Sequence, residues 1–242
     1  MVDKQRIAHE YDRFWADVWD SSDDWTKVGK KSLRMFALQN LPSNPGRVLD
    51  LGCGNGLAMS LLRQRNQKVI GCDISLGALR AARLQGEVAR ADGTRLPFRS
   101  SSFRYVLLLD ALEHVVEKRS LVRECWRVLA NDGMVALTTP LPSATNGLGD
   151  RRQPYDRPAT YSEIVSMTSG LFRICRAKGV FELRGVGTVW RVLPSRLFTE
   201  LPVLLEKASE IMLIFSKITN SQQHNQLSEV SHSAERSPTP TA

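Results

Sequence analysis

Between Arg47 and Pro140 the apolar positions come in two alternating forms: short unbroken runs, and longer stretches with apolar residues three or four apart. The unbroken runs predict strands at 47–51, 68–73, 87–91, 103–109 and 133–139. The spaced stretches predict helices at 55–65, 76–85 and 117–129. Asp132-Gly133 marks the turn into the last of these strands. Strands apolar along their whole length and separated by helices imply a parallel, doubly wound sheet covered on both faces. Ligands of such sheets gather at the carboxyl ends of the strands, so the residues that close each strand are where chemistry is expected.

The flanks follow other patterns. Tyr11, Trp15, Val18 and Trp19 fall at helical spacing, and with Phe14 and Trp25 they mark an aromatic, amphipathic helical cap over 1–46, ended by the break Leu41-Pro42-Ser43-Asn44-Pro45-Gly46. The α/β core is expected over 47–200. Within it, 140–159 reads as a long loop or lid, and Thr160 with Glu163 three residues on predicts a capped helix start. Strands near 172–178 and 180–190 would complete the sheet. Residues 202–218, in a C-terminal unit 201–219, are expected to form an amphipathic helix. Its main face would carry Leu204, Leu205, Ala208, Ile211, Met212, Phe215 and Ile218, with Val203, Leu213 and Ile214 off that face. From Asn220 the chain is polar and ends in Ser-Pro-Thr-Pro, the composition of a disordered tail over 220–242.

Composition narrows this picture without redirecting it. The chain has 242 residues, of which 42% are hydrophobic and 24% charged, as expected for one soluble domain with appendages. No apolar run is as long as a membrane span, and Met1 to Arg6 lacks a signal-peptide core, so a cytoplasmic location is the expectation. The four cysteines (53, 72, 125 and 175) are scattered without a Cys-x-x-Cys pair, which argues against structural zinc. The net charge of +8 is concentrated in 51–100 and 151–200. In the first block it falls on or around helices outside the sheet, and in the second on Arg151, Arg152, Arg157 and later residues where an acceptor would lie. A solvated face accounts for both, and an anionic substrate or membrane surface is the alternative near 151–157.

Four strand ends carry candidate chemistry. Val48-Leu49-Asp50-Leu51-Gly52-Cys53-Gly54-Asn55-Gly56 runs from a strand into a turn with glycines on alternate positions just where a helix must begin. Such a turn admits a ligand directly against the backbone. The spacing differs from the dinucleotide fingerprint, which wants Gly or Ala where Leu57 stands. Asp50 would sit poorly beside a pyrophosphate and suits a cationic amino group. Val69-Ile70-Gly71-Cys72-Asp73 ends in a carboxylate placed to accept two ribose hydroxyls, with Ile74 following. Ala91-Asp92-Gly93 offers Asp92 to an exocyclic adenine amine. The fourth end is Leu109-Asp110-Ala111-Leu112-Glu113-His114, acidic residues and a histidine after a buried strand.

Together these features resemble the class I S-adenosylmethionine-dependent methyltransferases, in particular the type 11 group, over about 47–140 and more loosely 8–200. The resemblance implies a Rossmann-like, doubly wound seven-stranded sheet with S-adenosyl-L-methionine as cofactor. Carried over by position, it places Asp50, Gly52, Cys53, Gly54 and Gly56 at the methionine and ribose end. Asp73 and Ile74 would meet the ribose, Asp92 and Gly93 the adenine, and Asp110 and Ala111 the floor near the sulfonium. Tyr11 matches an aromatic residue that closes over the donor. One departure is Phe103-Arg104, where the family commonly has Phe-Asp, at the strand end away from the donor.

Methyl transfer needs in-line alignment, and a base only if the acceptor loses a proton. His114 is the one histidine near the expected centre; it is a candidate base, and a pocket-shaping role is the alternative. Asp110, Glu113 and His114 also look like the metal-binding Glu-x-x-Glu-His segment of ubiquinone-pathway and small-RNA methyltransferases, although the same Leu-Glu-His-Val occurs in relatives without metal. The acceptor walls would come from 1–30, 140–165 and 185–218, with Trp15, Trp19, Trp25, Trp190 and Phe198. An aromatic or lipid-type acceptor methylated on oxygen is the leading expectation. RNA or protein is the second, and the missing nucleic-acid module and dispersed charge speak against it and against DNA. Peripheral membrane contact or a homodimer face through 202–218 completes the expectations.

Overall fold

The computed structural model describes residues 3–18, 28–42, 46–142, 155–183, 187–189 and 205–219. Five parallel strands form the centre: β1 (Arg47–Leu51), β2 (Lys68–Asp73), β3 (Glu87–Arg90), β4 (Phe103–Leu109) and β5 (Leu129–Pro140). β6 (Phe172–Leu183), the three-residue β7 (Gly187–Val189) and β8 (Glu210–Lys217) complete a sheet of order β3-β2-β1-β4-β5-β8-β6-β7. β8 runs antiparallel to both β5 and β6. The expected seven strands are β1–β6 and β8, and β7 adds a short antiparallel edge to β6.

Helices cover both faces. α1 (Lys4–Val18) and α2 (Val28–Gln39) come from the N-terminal segment, and α3 (Leu57–Arg63), α4 (Leu76–Ala82) and α5 (Lys118–Val128) link the parallel strands. α6 (Tyr161–Thr168) starts at Thr160, where Thr160 and Glu163 form the reciprocal pair the sequence predicts. One apolar layer joins Leu49, Leu51, Phe103 and Val106 of the sheet to Leu121 and Val128 of α5 and Ile164 of α6. The other joins Val48, Leu107 and Ala136 to Leu33, Ala37 and Leu38 of α2 and Leu62 of α3.

Over 210–217 the expected C-terminal helix is replaced by β8, which pairs with β5 and β6. Ile211, Leu213 and Phe215 face the α5–α6 layer, while Met212 and Ile214 face α2. A central strand buried on both faces is apolar at every position, so its period of two is invisible, and an unbroken run of this kind also fits a helix. Residues 211–215 of the segment lie inside the molecule and offer no face to a membrane or a second copy. Strand β6 runs through the segment expected at 172–178 and on to Leu183, with a bulge between Ile174 and Arg176, while 187–189 of the segment expected at 180–190 form β7. Residues 143–154 of the expected lid, Trp19, Trp25, Trp190, Phe198 and the tail from Asn220 lie outside the described residues.

No helix among the described residues is long and apolar enough to cross a membrane.

Candidate methyl-donor site

The strand order reverses between β1 and β4, which leaves a crevice at their carboxyl ends. A cavity of about 670 Å³ opens there. Strand β1 delivers Asp50 to it, and the chain then turns through Gly52, Gly54 and Gly56, all at positive φ. At Gly52 the requirement is both conformational and spatial, since a Cβ would stand 2.5 Å from the Cβ of Ala111. Gly52 and Ala111, assigned to the site from different motifs, are therefore in contact. Gly56 serves another purpose. It does not line the cavity; at φ 84° it starts α3, and a Cβ there would press on Ala82 of α4. A Cβ on Gly54 would lie 2.8 Å from the indole of Trp15, so α1 packs directly against the loop.

Asp50 is 2% exposed, and its Oδ2 has no hydrogen-bond partner. Burial drives its pKa up to about 7, against the pull of the Arg34 guanidinium and with a further push from Asp73. A buried carboxylate oxygen without a donor is costly, and a bound ammonium would supply one. Asp73 accepts backbone N–H groups from Gly54 at 3.0 Å and Ser75 at 2.9 Å. Burial pushes its carboxyl up, and those donors hold it back. Asp92 accepts from the Thr94 N–H at 2.9 Å and pairs with Lys4 at 2.6 Å. Burial opposes its charge, but Lys4 and Thr94 outweigh that and keep the carboxyl below the usual range. Ile74, Cys53 and Gly93 line the same cavity. The Cys53 thiol is raised strongly by burial, which leaves it a packing group.

Asp110 closes β4 in a left-handed conformation, φ 51°. This backbone is uncommon for a non-glycine residue and is frequent at functional sites. It turns the carboxylate toward Thr138 Oγ1, which donates at 2.7 Å, and toward Arg34, whose Nε and a terminal nitrogen donate at 2.9 and 2.5 Å. Glu113 turns the other way. It is 2% exposed, accepts from Thr139 Oγ1 at 3.0 Å, and is absent from the cavity wall. His114 does line the wall, 6.0 Å ring to ring from Tyr11 in an edge-on contact, with Nε2 3.7 Å from Glu113. Among the described residues no three His, Cys, Asp or Glu side chains are grouped to hold a metal ion. The Asp110, Glu113 and His114 set, read from spacing, is split by the divergence of its two carboxylates.

Two residues of the site carried no motif. Arg34 of α2 is half-buried in the cavity wall, bonded to Asp110 and near enough to Asp50 to attract its charge, and Lys4 of α1 bridges Asp92, Thr94 and Glu117. Their only signal in sequence is a cation on a helix that precedes the core, which is common on any surface.

Residues 49–137 match the family described as "Methyltransferase domain". The match is to this stretch and not to the chain as a whole. Its curated relatives include a "Ubiquinone biosynthesis O-methyltransferase" of Idiomarina loihiensis, 26% identical over 152 residues, which are 57% of this chain and 61% of that protein. A "Demethylmenaquinone methyltransferase" of Thermotoga maritima is 32% identical over 145 residues, 58% of this chain and 61% of that one. The chain thus spans about three-fifths of the length of these relatives. Among solved structures, the methyltransferase in complex with the Haloferax volcanii Trm112 activator superposes with a TM-score of 0.65 at 18% identity, over 86% of this chain and 99% of that one. A SAM-dependent methyltransferase from Thermotoga maritima gives 0.65 at 15%, over 88% and 100%. At such identities the chain shares the fold with these neighbours and nothing more: the [4+2]-cyclase SpnF has it too, with a TM-score of 0.59 at 17% identity over 82% of this chain and 85% of that one.

Proposed function

We propose that this chain transfers a methyl group from S-adenosyl-L-methionine to a small or lipid-type acceptor, on oxygen. The observation that carries the reading is Asp50: a buried carboxylate with an unsatisfied oxygen, at a glycine turn, with a guanidinium on its cavity side. An amino-acid end fits this pair. Its ammonium satisfies Asp50, and its carboxylate is met by Arg34. The carboxylates of Asp73 and Asp92 retain lone pairs for ribose hydroxyls and the adenine amine beyond the bonds they already accept. When bound, the donor supplies an electrophilic sulfonium methyl. The chain supplies alignment, with Tyr11 and Trp15 walling the site from water. In this reading His114, on the cavity wall, accepts the proton of an acceptor hydroxyl.

Beyond the donor residues the wall is apolar, with Met35, Leu38, Leu61, Leu109 and Val116. That lining favours an aromatic or hydrocarbon-bearing acceptor. The relatives named for ubiquinone and demethylmenaquinone methylation support the same class. The test pairs calorimetry with turnover. Saturable binding of S-adenosyl-L-methionine and a one-methyl mass gain on a catechol or a reduced naphthoquinone, placed on oxygen by NMR, is the expected result. A carbon-methylated product would overturn the oxygen assignment, and binding without transfer to any acceptor would leave a donor-binding module.

A further inference from the structure

The opposite end of the sheet carries a second pocket, of about 320 Å³, lined by Ser100, Ser101, Trp126, Arg127, Asn131, Lys217 and Thr219. Its centre is Lys217, the last residue of β8, which is 7% exposed. The pairing of β5 with β4 jumps from Phe103–Leu129 to Tyr105–Met134, so 130–133 bulge from the ladder. Lys217 Nζ donates to the Leu129 carbonyl at 2.5 Å and lies 4.3 Å from the centre of the Trp126 ring. An ammonium has three donors, and this one has no carboxylate partner among the described residues. The nearby acids are engaged elsewhere: Glu124 holds Arg127, and Asp132 of the bulge holds Arg104. The Trp126 face compensates only in part for a buried charge.

We propose that this pocket binds a phosphate group carried on a small organic molecule, independently of the methyl-donor site. Lys217 is a compact point charge of the kind that pairs with phosphate. Ser100, Ser101 and Asn131 line the same space and carry neutral donors. Arg127 is fixed by Glu124 and by the carbonyls of Phe98 and Leu96, so it adds positive potential as a rigid wall. The remaining volume, beside the Trp126 ring, accommodates the organic part.

The test titrates the full chain with inorganic phosphate and with glycerol 3-phosphate at constant ionic strength, following melting temperature and tryptophan emission. Saturable stabilisation is expected, at least threefold tighter for the ester, and it should disappear in Lys217→Met. Without phosphate that variant should melt no lower than the native chain, because it removes a buried charge that Trp126 and the Leu129 carbonyl compensate only in part. Phosphate also stabilises proteins by exclusion from their surfaces, so a response retained in Lys217→Met overturns the site. No saturation overturns it as well, and an ester no tighter than inorganic phosphate overturns the carried-group reading. If Lys217→Met does not fold, Asn131→Ala and Ser101→Ala provide the same comparison, and unchanged affinity in both sinks the proposal.

Discussion

Asp50 makes the site sensitive to pH. Its folded pKa lies near 7, above the ordinary carboxylate value of the unfolded chain. The native state therefore binds the extra proton, and its contribution to donor-free stability falls as pH rises from about 4 to about 7, levelling above that. The amplitude is about 4 kcal/mol at most. Urea denaturation across this window should show the native chain losing stability relative to Asp50→Asn as pH rises. An ammonium ligand reverses the preference, because it needs the charged carboxylate. Donor affinity should rise about tenfold per pH unit below 7 and then flatten, and Asp50→Asn should abolish that slope in calorimetry. Arg34→Gln should weaken donor binding by about 2–5 kcal/mol, measured the same way. At this scale the glycine turn and the acids at 50, 73 and 92 were legible, because strand, turn and carboxylate recur in register. Arg34 was illegible, because its importance lies in a contact 76 residues away in sequence with Asp110.

At the level of elements, α1 closes the cavity by three attachments. Lys4 reaches Asp92 and Glu117 at one end. Asp12 accepts from Ser75 Oγ at 2.7 Å and from the Gly77 N–H at 3.1 Å, which ties the helix to the start of α4. Ile7, Tyr11 and Trp15 pack with Ala78 between them. The Lys4 pairs are partly exposed and are worth about 1 kcal/mol or less each. Lys4→Ala should barely shift global stability, yet it should speed donor dissociation several-fold in stopped-flow chase experiments, with 0.5 M salt having a similar effect on the native chain. The aromatic spacing 11, 15 made α1 legible as an amphipathic helix, and Thr160 with Glu163 did the same for the start of α6. β8 defeated the pattern because both of its faces are covered, which erases the alternation that distinguishes strand from helix.

Over the whole molecule, β8 joins the five parallel strands to β6, so the sheet is one cooperative unit from β3 to β7. Leu213, fully buried, contacts the core on the α5–α6 side. Leu213→Ala should cost about 2–5 kcal/mol in urea denaturation, while donor affinity of the folded fraction stays unchanged, because the strand lies outside the cavity wall. The alternation of strands and helices was enough to anticipate the sheet and the end at which ligands gather. The pocket around Lys217 was not anticipated, since it depends on a bulge in β5 and on the end of a strand read as a helix.

The packing of the Trp15 indole on Gly54 couples the sequence of the loop to the mobility of the helix above it. Any residue larger than glycine at 54 acts as a wedge: it must adopt an unfavourable backbone and lift the indole at the same moment. Variation there would register first as faster proteolysis and amide exchange across residues 4–18, before any loss of the sheet.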